Sequence, residues 1–163
     1  MHVHQVLLHA GDPVGALQEM RRVTNPGGTV AAREGDIGTT IYYPDPDGLI
    51  EKGNNLFACL MRLKGGEPFG GRRLLSWCLQ AGFKRDQVTS TASVLCYNTP
   101  AERAWYSGIF ADRTLTAVFK KHALESGLAT EEVLVKYAEA LGKWRKQEDG
   151  WMAVTSGEAI CRV

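Results

Sequence analysis

The sequence predicts a mixed α/β fold in which strands alternate with helices. Residues 1–36 have the pattern strand, helix, strand, which is the order of one βαβ crossover. Strand patterns return over 88–97 and 151–163, and the region between them has the apolar spacing of helices. Apolar residues make up 44% and charged residues 23% of the 163 residues, so a disordered main state is excluded.

Capping and turn residues mark where the elements of the first crossover begin and end. The first strand is predicted over 1–9. Asp12 is a good N-cap residue and Pro13 suits the first helical position, so a helix begins there. The Pro-Gly-Gly turn at 26–28 ends this helix, and the small apolar residues at 29–32 are typical of a buried parallel strand.

The middle of the chain is predicted to be mainly helical. Apolar residues recur at helical spacing over 49–63 and 72–81, and glycines follow both segments. The segment 39–47 that precedes these helices is expected to be a loop. Residues 88–97 are rich in Thr and Val and therefore predict a strand.

A helical excursion is expected between the last two strands. Thr99 and Glu102 form a capping box that starts one helix, which we expect to break near Gly108. Thr130 opens a second helix, and Gly150 ends the excursion. The strands on either side are then predicted to pair antiparallel.

Charge and composition exclude several classes of partner. The chain has 19 Lys and Arg against 18 Asp and Glu, divided 8 and 8 over residues 1–81 and 11 and 10 over 82–163. No polybasic face is left for nucleic acid or anionic lipid. No apolar run approaches the ~20 residues of a membrane span, so a cytoplasmic protein is the default expectation. The four cysteines form no C-x-x-C pair, which favours reduced thiols.

An ordered set of short strings resembles a known family. The strings are HQVLLH at 4–9, DP at 12–13, LQEMRRV at 17–23, PGG at 26–28, GRRLL at 71–75 and AGF at 81–83. Together they resemble the second half of the class I S-adenosylmethionine-dependent methyltransferases, closest to the ubiquinone/menaquinone-biosynthesis type. The resemblance implies an incomplete Rossmann-like methyltransferase fold, with strands four to seven, flanking helices and an antiparallel last strand.

The resemblance also implies how the chain is organised. A complete member carries a glycine-rich cofactor loop upstream of this region, so the chain is expected to be a C-terminal portion. Its sheet order would be four, five, seven, six, with one edge exposed. The whole chain, 1–163, would be a single partial domain. Its parts are a strand-helix-strand core at 1–36, a helical segment at 37–86, and an antiparallel strand pair at 87–163 with a helical insertion at 99–149.

The implied activity is methyl transfer from S-adenosylmethionine to a small-molecule acceptor. His4 and Gln5, at the end of the implied fourth strand, are the predicted cofactor contacts. Arg33 and Asp36 follow the fifth strand and are predicted substrate contacts, with Glu34 between them as a candidate base. The rule that open α/β sheets bind ligands beyond the carboxyl ends of their strands agrees with this placement.

Further candidates come from residue chemistry. Tyr42, Tyr43, Trp105 and Tyr106 are predicted to wall an apolar acceptor pocket. His9 is a second candidate base, because an imidazole ordinarily titrates near neutrality. A structural role explains each of these residues as well: core packing for the aromatic side chains, and a solvated loop for the charged ones.

Two other functions stay open at this stage. His2 and His4 share one face of a strand, and Glu34 or Asp36 ends its neighbour, so a two-His, one-carboxylate metal site is conceivable, although the favoured interpretation has no metal. The other is a truncated, non-catalytic protein, or a subunit that docks its exposed sheet edge on a partner.

Overall fold

Strands and helices alternate along the computed structural model, which describes residues 1–116 and 118–163. The strands are β1 His2–His4, β2 Thr29–Gly35, β3 Ile41–Tyr43, β4 Val88–Tyr97 and β5 Trp151–Arg162. The helices are α1 Pro13–Val23, α2 Leu49–Leu63, α3 Gly70–Gln80, α4 Pro100–Leu115, α5 Ala117–Glu125 and α6 Glu131–Trp144. The predicted α/β class is confirmed.

Three boundaries differ from the sequence prediction. The first strand ends at His4, and a 3-10 turn, Leu7–His9, takes the place of its expected second half. The expected loop at 39–47 contains the short strand β3. Helix α4 continues through Gly108 to Leu115. A single interior glycine costs a helix only about 1 kcal/mol, which the packing of α4 against α6 offsets.

The chain forms two units. The first, here called the sheet unit, contains residues 1–39, 61–95 and 154–163, and the second, the helical unit, contains 40–60 and 96–153. This division is finer than the single partial domain predicted above, which stays a prediction.

In the sheet unit the strand order is β1, β2, β5, β4. Strands β1 and β2 run parallel, with His4 opposite Arg33. Strands β2 and β5 run antiparallel, from Thr29 opposite Arg162 to Gly35 opposite Ser156, and β4 pairs with β5. This is the order four, five, seven, six that the resemblance implied, with the last strand antiparallel.

One face of this sheet carries the core. Val30 and Ala32 of β2 are buried with Leu17 of α1 and Leu74 of α3. The core also contains two buried thiols, Cys78 of α3 and Cys161 of β5. Helices α1 and α3 therefore cover the face toward which alternate residues of β2 point.

Helix α3 approaches β5 at a pair of glycines. A Cβ atom added to Gly157 would overlap the carbonyl group of Gly71. The two backbones therefore touch where neither residue has a side chain.

In the helical unit, α4 packs against α6 and β3 pairs with the first residues of β5, Ile41 lying opposite Ala153. Arg103 of α4 is only 4% exposed. Its Nη1 donates to the carbonyl oxygens of Asn98, at 2.5 Å, and Gly150, at 2.9 Å. This buried guanidinium ties the start of α4 to the start of β5.

We expect Gly157→Ala to lower the free energy of unfolding by about 1–3 kcal/mol, because the new methyl group overlaps the α3 backbone. The matched control is Gly142→Ala in α6, where an added Cβ meets no atom within 4 Å. Replacing a helical glycine should stabilise the protein by up to about 1 kcal/mol. Urea unfolding measures both values, and equal effects of the two substitutions would contradict the close approach.

Candidate functional site

The carboxyl ends of β1 and β2 lie side by side, because these strands run parallel. Open α/β sheets bind ligands beyond this end of their strands. The structure places five of the predicted residues here: His4, Gln5, Arg33, Glu34 and Asp36. We call this group the strand-end site.

Gln5 leaves β1 in a left-handed backbone conformation, with φ of 54°. It is the one non-glycine residue with positive φ in the described part of the chain. Its amide still donates to the carbonyl oxygen of Arg33, at 2.9 Å, so the strand ladder holds it in place. Backbone strain of this kind concentrates at functional sites. The Gln5 side chain is exposed at the strand end.

His4 and Arg33 are joined across the two strands. Arg33 Nη1 lies 2.7 Å from His4 Nε2. Arg33 Nε also contacts Glu158 Oε1 of β5 at 3.2 Å and Ser93 Oγ of β4 at 3.3 Å. The hydrogen-bonded row crosses all four strands of the sheet unit.

Glu34 is fully buried, with an exposed fraction of 0%. Its Oε1 accepts from the backbone amides of Val6, at 3.2 Å, and Leu7, at 3.0 Å, and its Oε2 accepts from that of Leu8, at 3.2 Å. These amides begin the 3-10 turn after β1, so the carboxylate stabilises the turn in the manner of a helix cap. A structural role is evident, and the catalytic role stays a prediction.

Asp36 is 3% exposed and is paired with Arg72 of α3. Arg72 Nε and Nη2 donate to the two carboxylate oxygens at 2.5 and 2.8 Å, a bidentate arrangement. The Arg72 guanidinium also stacks over the Phe69 ring, 4.8 Å from its centroid. Asp36 thus anchors the start of α3 to the end of β2. His9, the other candidate base, is exposed at the end of the 3-10 turn.

The alternative metal site does not assemble among the residues that the structure describes. No three His, Cys, Asp or Glu side chains in that part of the chain lie close enough together to hold a metal ion. Three of the four conceivable ligands have other partners: His4 contacts Arg33, Glu34 binds backbone amides and Asp36 binds Arg72.

Two of the predicted aromatic residues meet in the helical unit. The Tyr42 and Tyr106 hydroxyl groups lie 2.6 Å apart, and the Tyr42 hydroxyl donates to Asn54 Oδ1 at 3.3 Å. Burial raises the pKa of Tyr106 to about 12 and also raises the pKa of Tyr42. Both phenols are therefore neutral hydrogen-bonding groups near neutral pH and are poor bases there.

The other two predicted aromatic residues lie at the surface. Tyr43 is 52% and Trp105 is 58% exposed. Two other rings, which were not predicted to belong to the site, lie beside Tyr106. The ring centroids are 5.6 Å away for Tyr97 and 6.2 Å away for Trp144. The signal for Trp144 was its place in the apolar stripe of α6, which indicates core.

A groove of about 390 Å³ lies between residues 44–50 and α6, within the helical unit. Its volume is in the range of small-molecule sites. It is lined by Pro44, Asp45, Pro46, Asp47, Leu49, Ile50, Lys136, Glu139, Ala140, Lys143, Trp144 and Gln147. A recess of about 290 Å³ is lined by Thr40, Ile41, Tyr42, Asp45 and Glu51. Of the four predicted aromatic residues, only Tyr42 lines either cavity.

The chain is similar in sequence to a curated protein. The chain is 32% identical over 164 residues to an uncharacterized methyltransferase of Schizosaccharomyces pombe. The match covers 98% of this chain and 56% of that protein, so the chain spans little more than half of its length. No family model matches the sequence.

Similar solved structures are more distant. A methyltransferase candidate from Bacillus halodurans matches with a TM-score of 0.47 and 12% identity, over 99% of this chain and 67% of that one. The [4+2]-cyclase SpnF matches at 0.39 and 16%, over 96% and 47%. A sarcosine dimethylglycine methyltransferase candidate from Galdieria sulphuraria matches at 0.40 and 11%, over 99% and 51%. TM-scores below 0.5 do not establish a shared fold.

We expect Gln5→Gly to raise the free energy of unfolding by about 0.5–1 kcal/mol, because glycine adopts positive φ without strain. Gln5→Val should lower it by about 1–2 kcal/mol, since a branched Cβ is worst tolerated there. The control is Gln18→Gly in α1, where glycine should cost about 1 kcal/mol. Urea unfolding measures the three values, and destabilisation by Gln5→Gly equal to that by Gln18→Gly would contradict the left-handed conformation.

The buried phenols predict a loss of stability at high pH. The pKa of Tyr106 is raised to about 12, above the usual value of about 10. As pH rises from about 10 to about 12 the unfolded chain loses this proton before the folded chain does, so stability present below about pH 10 is lost through that window. We expect Tyr106→Phe to reduce this loss of stability between about pH 10 and about pH 12. Unfolding by urea at about pH 9 and about pH 11 tests it, and an equal loss in both proteins would contradict the shift.

Proposed function

We propose, from the likeness to the Schizosaccharomyces pombe methyltransferase, that this chain is part of an enzyme that moves a methyl group from S-adenosylmethionine to a small-molecule acceptor. The observation that carries the proposal is 32% identity over nearly the whole chain. The grouping of His4, Gln5 and Arg33 at the carboxyl ends of two parallel strands supports it, because ligands of such sheets bind there.

The chain is proposed to be the C-terminal portion of a class I methyltransferase of the ubiquinone/menaquinone-biosynthesis type. The strand order β1, β2, β5, β4, with β5 antiparallel to β2, supports that placement. The free edge of β1 would then pair with a strand from elsewhere in the protein or from a partner. The non-catalytic alternative has no specific observation in its favour.

We propose that the strand-end site contacts one side of the cofactor. S-adenosylmethionine, when bound, supplies an electrophilic methyl group on its sulfonium centre. His4 and Gln5 expose polar side chains at the end of β1. The glycine-rich loop of the resembled family is not among residues 1–116 and 118–163. These residues alone would therefore hold the cofactor weakly.

We also propose roles for individual side chains of this chain. His4 and Gln5 bind and orient the cofactor, and Arg33 and Asp36 border the acceptor. His9 and Glu34 are the candidate groups for removing a proton from the acceptor.

The aromatic residues of the helical unit are proposed acceptor contacts. The protons of the Tyr42 and Tyr106 hydroxyl groups are already given to Asn54 and Tyr42, so their oxygens would accept hydrogen bonds, and Tyr43 and Trp105 would offer exposed rings. We also propose a cytoplasmic location. The helices of residues 1–116 and 118–163 are all too short or too polar to cross a membrane.

Titration with S-adenosylmethionine in a calorimeter tests the proposal. We expect no micromolar binding by the 163-residue chain, and micromolar binding by a longer chain that includes any in-frame glycine-rich strand-loop-helix encoded upstream. In the longer chain, His4→Ala should weaken binding about tenfold, a loss of about 1.4 kcal/mol, because it removes a proposed cofactor contact. His9→Ala is the control, expected to slow turnover with unchanged affinity.

Two outcomes would contradict the proposal in different ways. Micromolar binding by the 163-residue chain would show that one side of the site suffices. A longer chain that binds no S-adenosylmethionine would remove the cofactor from the proposal.

A further inference from the structure

We infer that Arg33, Glu158 and Ser93 form a positioning row that holds His4 as a neutral imidazole with its proton on Nδ1. The use of that ring for a ligand rests on the proposed function, but the row and the proton position stand on the geometry of the sheet unit. Arg33 was predicted from the sequence to contact substrate, and no pattern in the sequence singles out Glu158 or Ser93.

The proton position follows from what arginine can do. A guanidinium has five N–H donors and no acceptor. Arg33 Nη1 lies 2.7 Å from His4 Nε2, so the nitrogen of the ring must be the acceptor. An imidazolium ion carries a proton on both nitrogens and could not accept. The ring is therefore neutral, and its proton resides on Nδ1.

Arg33 is held on its opposite side by two groups. Its Nε lies 3.2 Å from Glu158 Oε1 and 3.3 Å from Ser93 Oγ, and its Nη2 lies 3.2 Å from the same hydroxyl. The guanidinium is planar, so contacts along its Nε and Nη2 edge set the direction of Nη1. Glu158 and Ser93 thus aim the donor that His4 receives.

Glu158 is itself held in one orientation. Ser93 Oγ donates to Glu158 Oε1 at 2.6 Å, and Thr91 Oγ1 donates to Oε2 at 3.0 Å. The hydrogen bond from Ser93, then that from Thr91, and the neighbouring Arg33 lower the pKa of this carboxyl group. Glu158 is therefore a carboxylate at neutral pH and gives Arg33 its charged partner.

The row depends on the strand register. His4 lies opposite Arg33 across the parallel pair, and Arg33 lies opposite Glu158 across the antiparallel pair. The side chains of Arg33 and Glu158 are 22% and 31% exposed, so their ion pair is partly shielded from water. A slip of one residue between β2 and β5 would turn Glu158 to the other face and break the row.

A consequence for ligand choice follows. The neutral ring offers one polar hydrogen, at Nδ1, and its other nitrogen is occupied by Arg33. A ligand that contacts His4 Nδ1 must present a hydrogen-bond acceptor such as a carboxylate, hydroxyl or ether oxygen. Arg33 acts here through His4 as a positioning residue.

The test is the proton position in the ligand-free 163-residue chain. Histidine labelled with nitrogen-15 shows by two-dimensional NMR which ring nitrogen carries the proton. We expect His4 to be protonated on Nδ1 at neutral pH. Glu158→Gln and Arg33→Met should each lower the fraction of this form at least about twofold, and Arg33→Lys, which keeps a donor, should restore part of it.

The matched controls are Glu148→Gln and Arg162→Lys, which change exposed residues outside the row. His2, His9 and His122 serve as internal references, because unchanged signals from them show that a variant is folded. A His4 ring protonated on Nε2 in the unaltered chain would overturn the inference, and so would Glu158→Gln with the Nδ1 form undiminished. Since no cofactor is present, these outcomes are independent of whether the chain takes part in methyl transfer.

Discussion

The buried carboxylate of Glu34 is the interaction on which the strand-end site depends. It accepts three backbone amides in succession after β1. Without it, the buried amides of Leu7 and Leu8 would stay unpaired at a cost of about 1–3 kcal/mol each. Because those amides bind Glu34, they cannot continue the ladder with β2, so β1 ends at His4 and the chain turns at Gln5. One side chain thus sets the length of a strand, the strained residue after it and the place where His4 lies.

Local signals predicted where α1 and α4 begin, and the resemblance implied the strand order of the sheet unit. Asp12 caps α1 by accepting from the amide of Gly15, and Thr99 with Glu102 makes the predicted capping box. The predicted end of β1 was wrong because Glu34, which binds the amides that follow the strand, lies 26 to 28 residues away from them in sequence. The bidentate partner of Asp36 and the row from His4 to Ser93 were unpredictable for the same reason: they join residues that only the folded register brings together. Aromatic residue type alone could not separate the buried Tyr106 from the exposed Trp105.

The two faces of the sheet unit have different physical characters. Alternate residues of β2 point into an apolar core covered by α1 and α3. The others, including Arg33, belong to a partly exposed face. Antiparallel strands commonly leave one face in water, whereas parallel strands are usually covered on both. The parallel pair β1 and β2 is therefore the place where the proposed remainder of a methyltransferase would find a surface to cover.

Helix α3 meets strand β5 at two places. The backbones of Gly71 and Gly157 touch at one, and the thiols of Cys78 and Cys161 lie together at the other. The helical partners are seven residues apart, a rise of roughly 10 Å, and the strand partners are four apart, roughly 13 Å. Helix and strand therefore meet at two points, although the two spacings differ by roughly 3 Å. Adding or deleting one residue between the two helical partners would rotate one of them by about 100° away from the strand. When segments of this protein are recombined or grafted, residues 72–77 should consequently keep their length. Side chains in this segment can be replaced, but residues cannot be inserted or deleted.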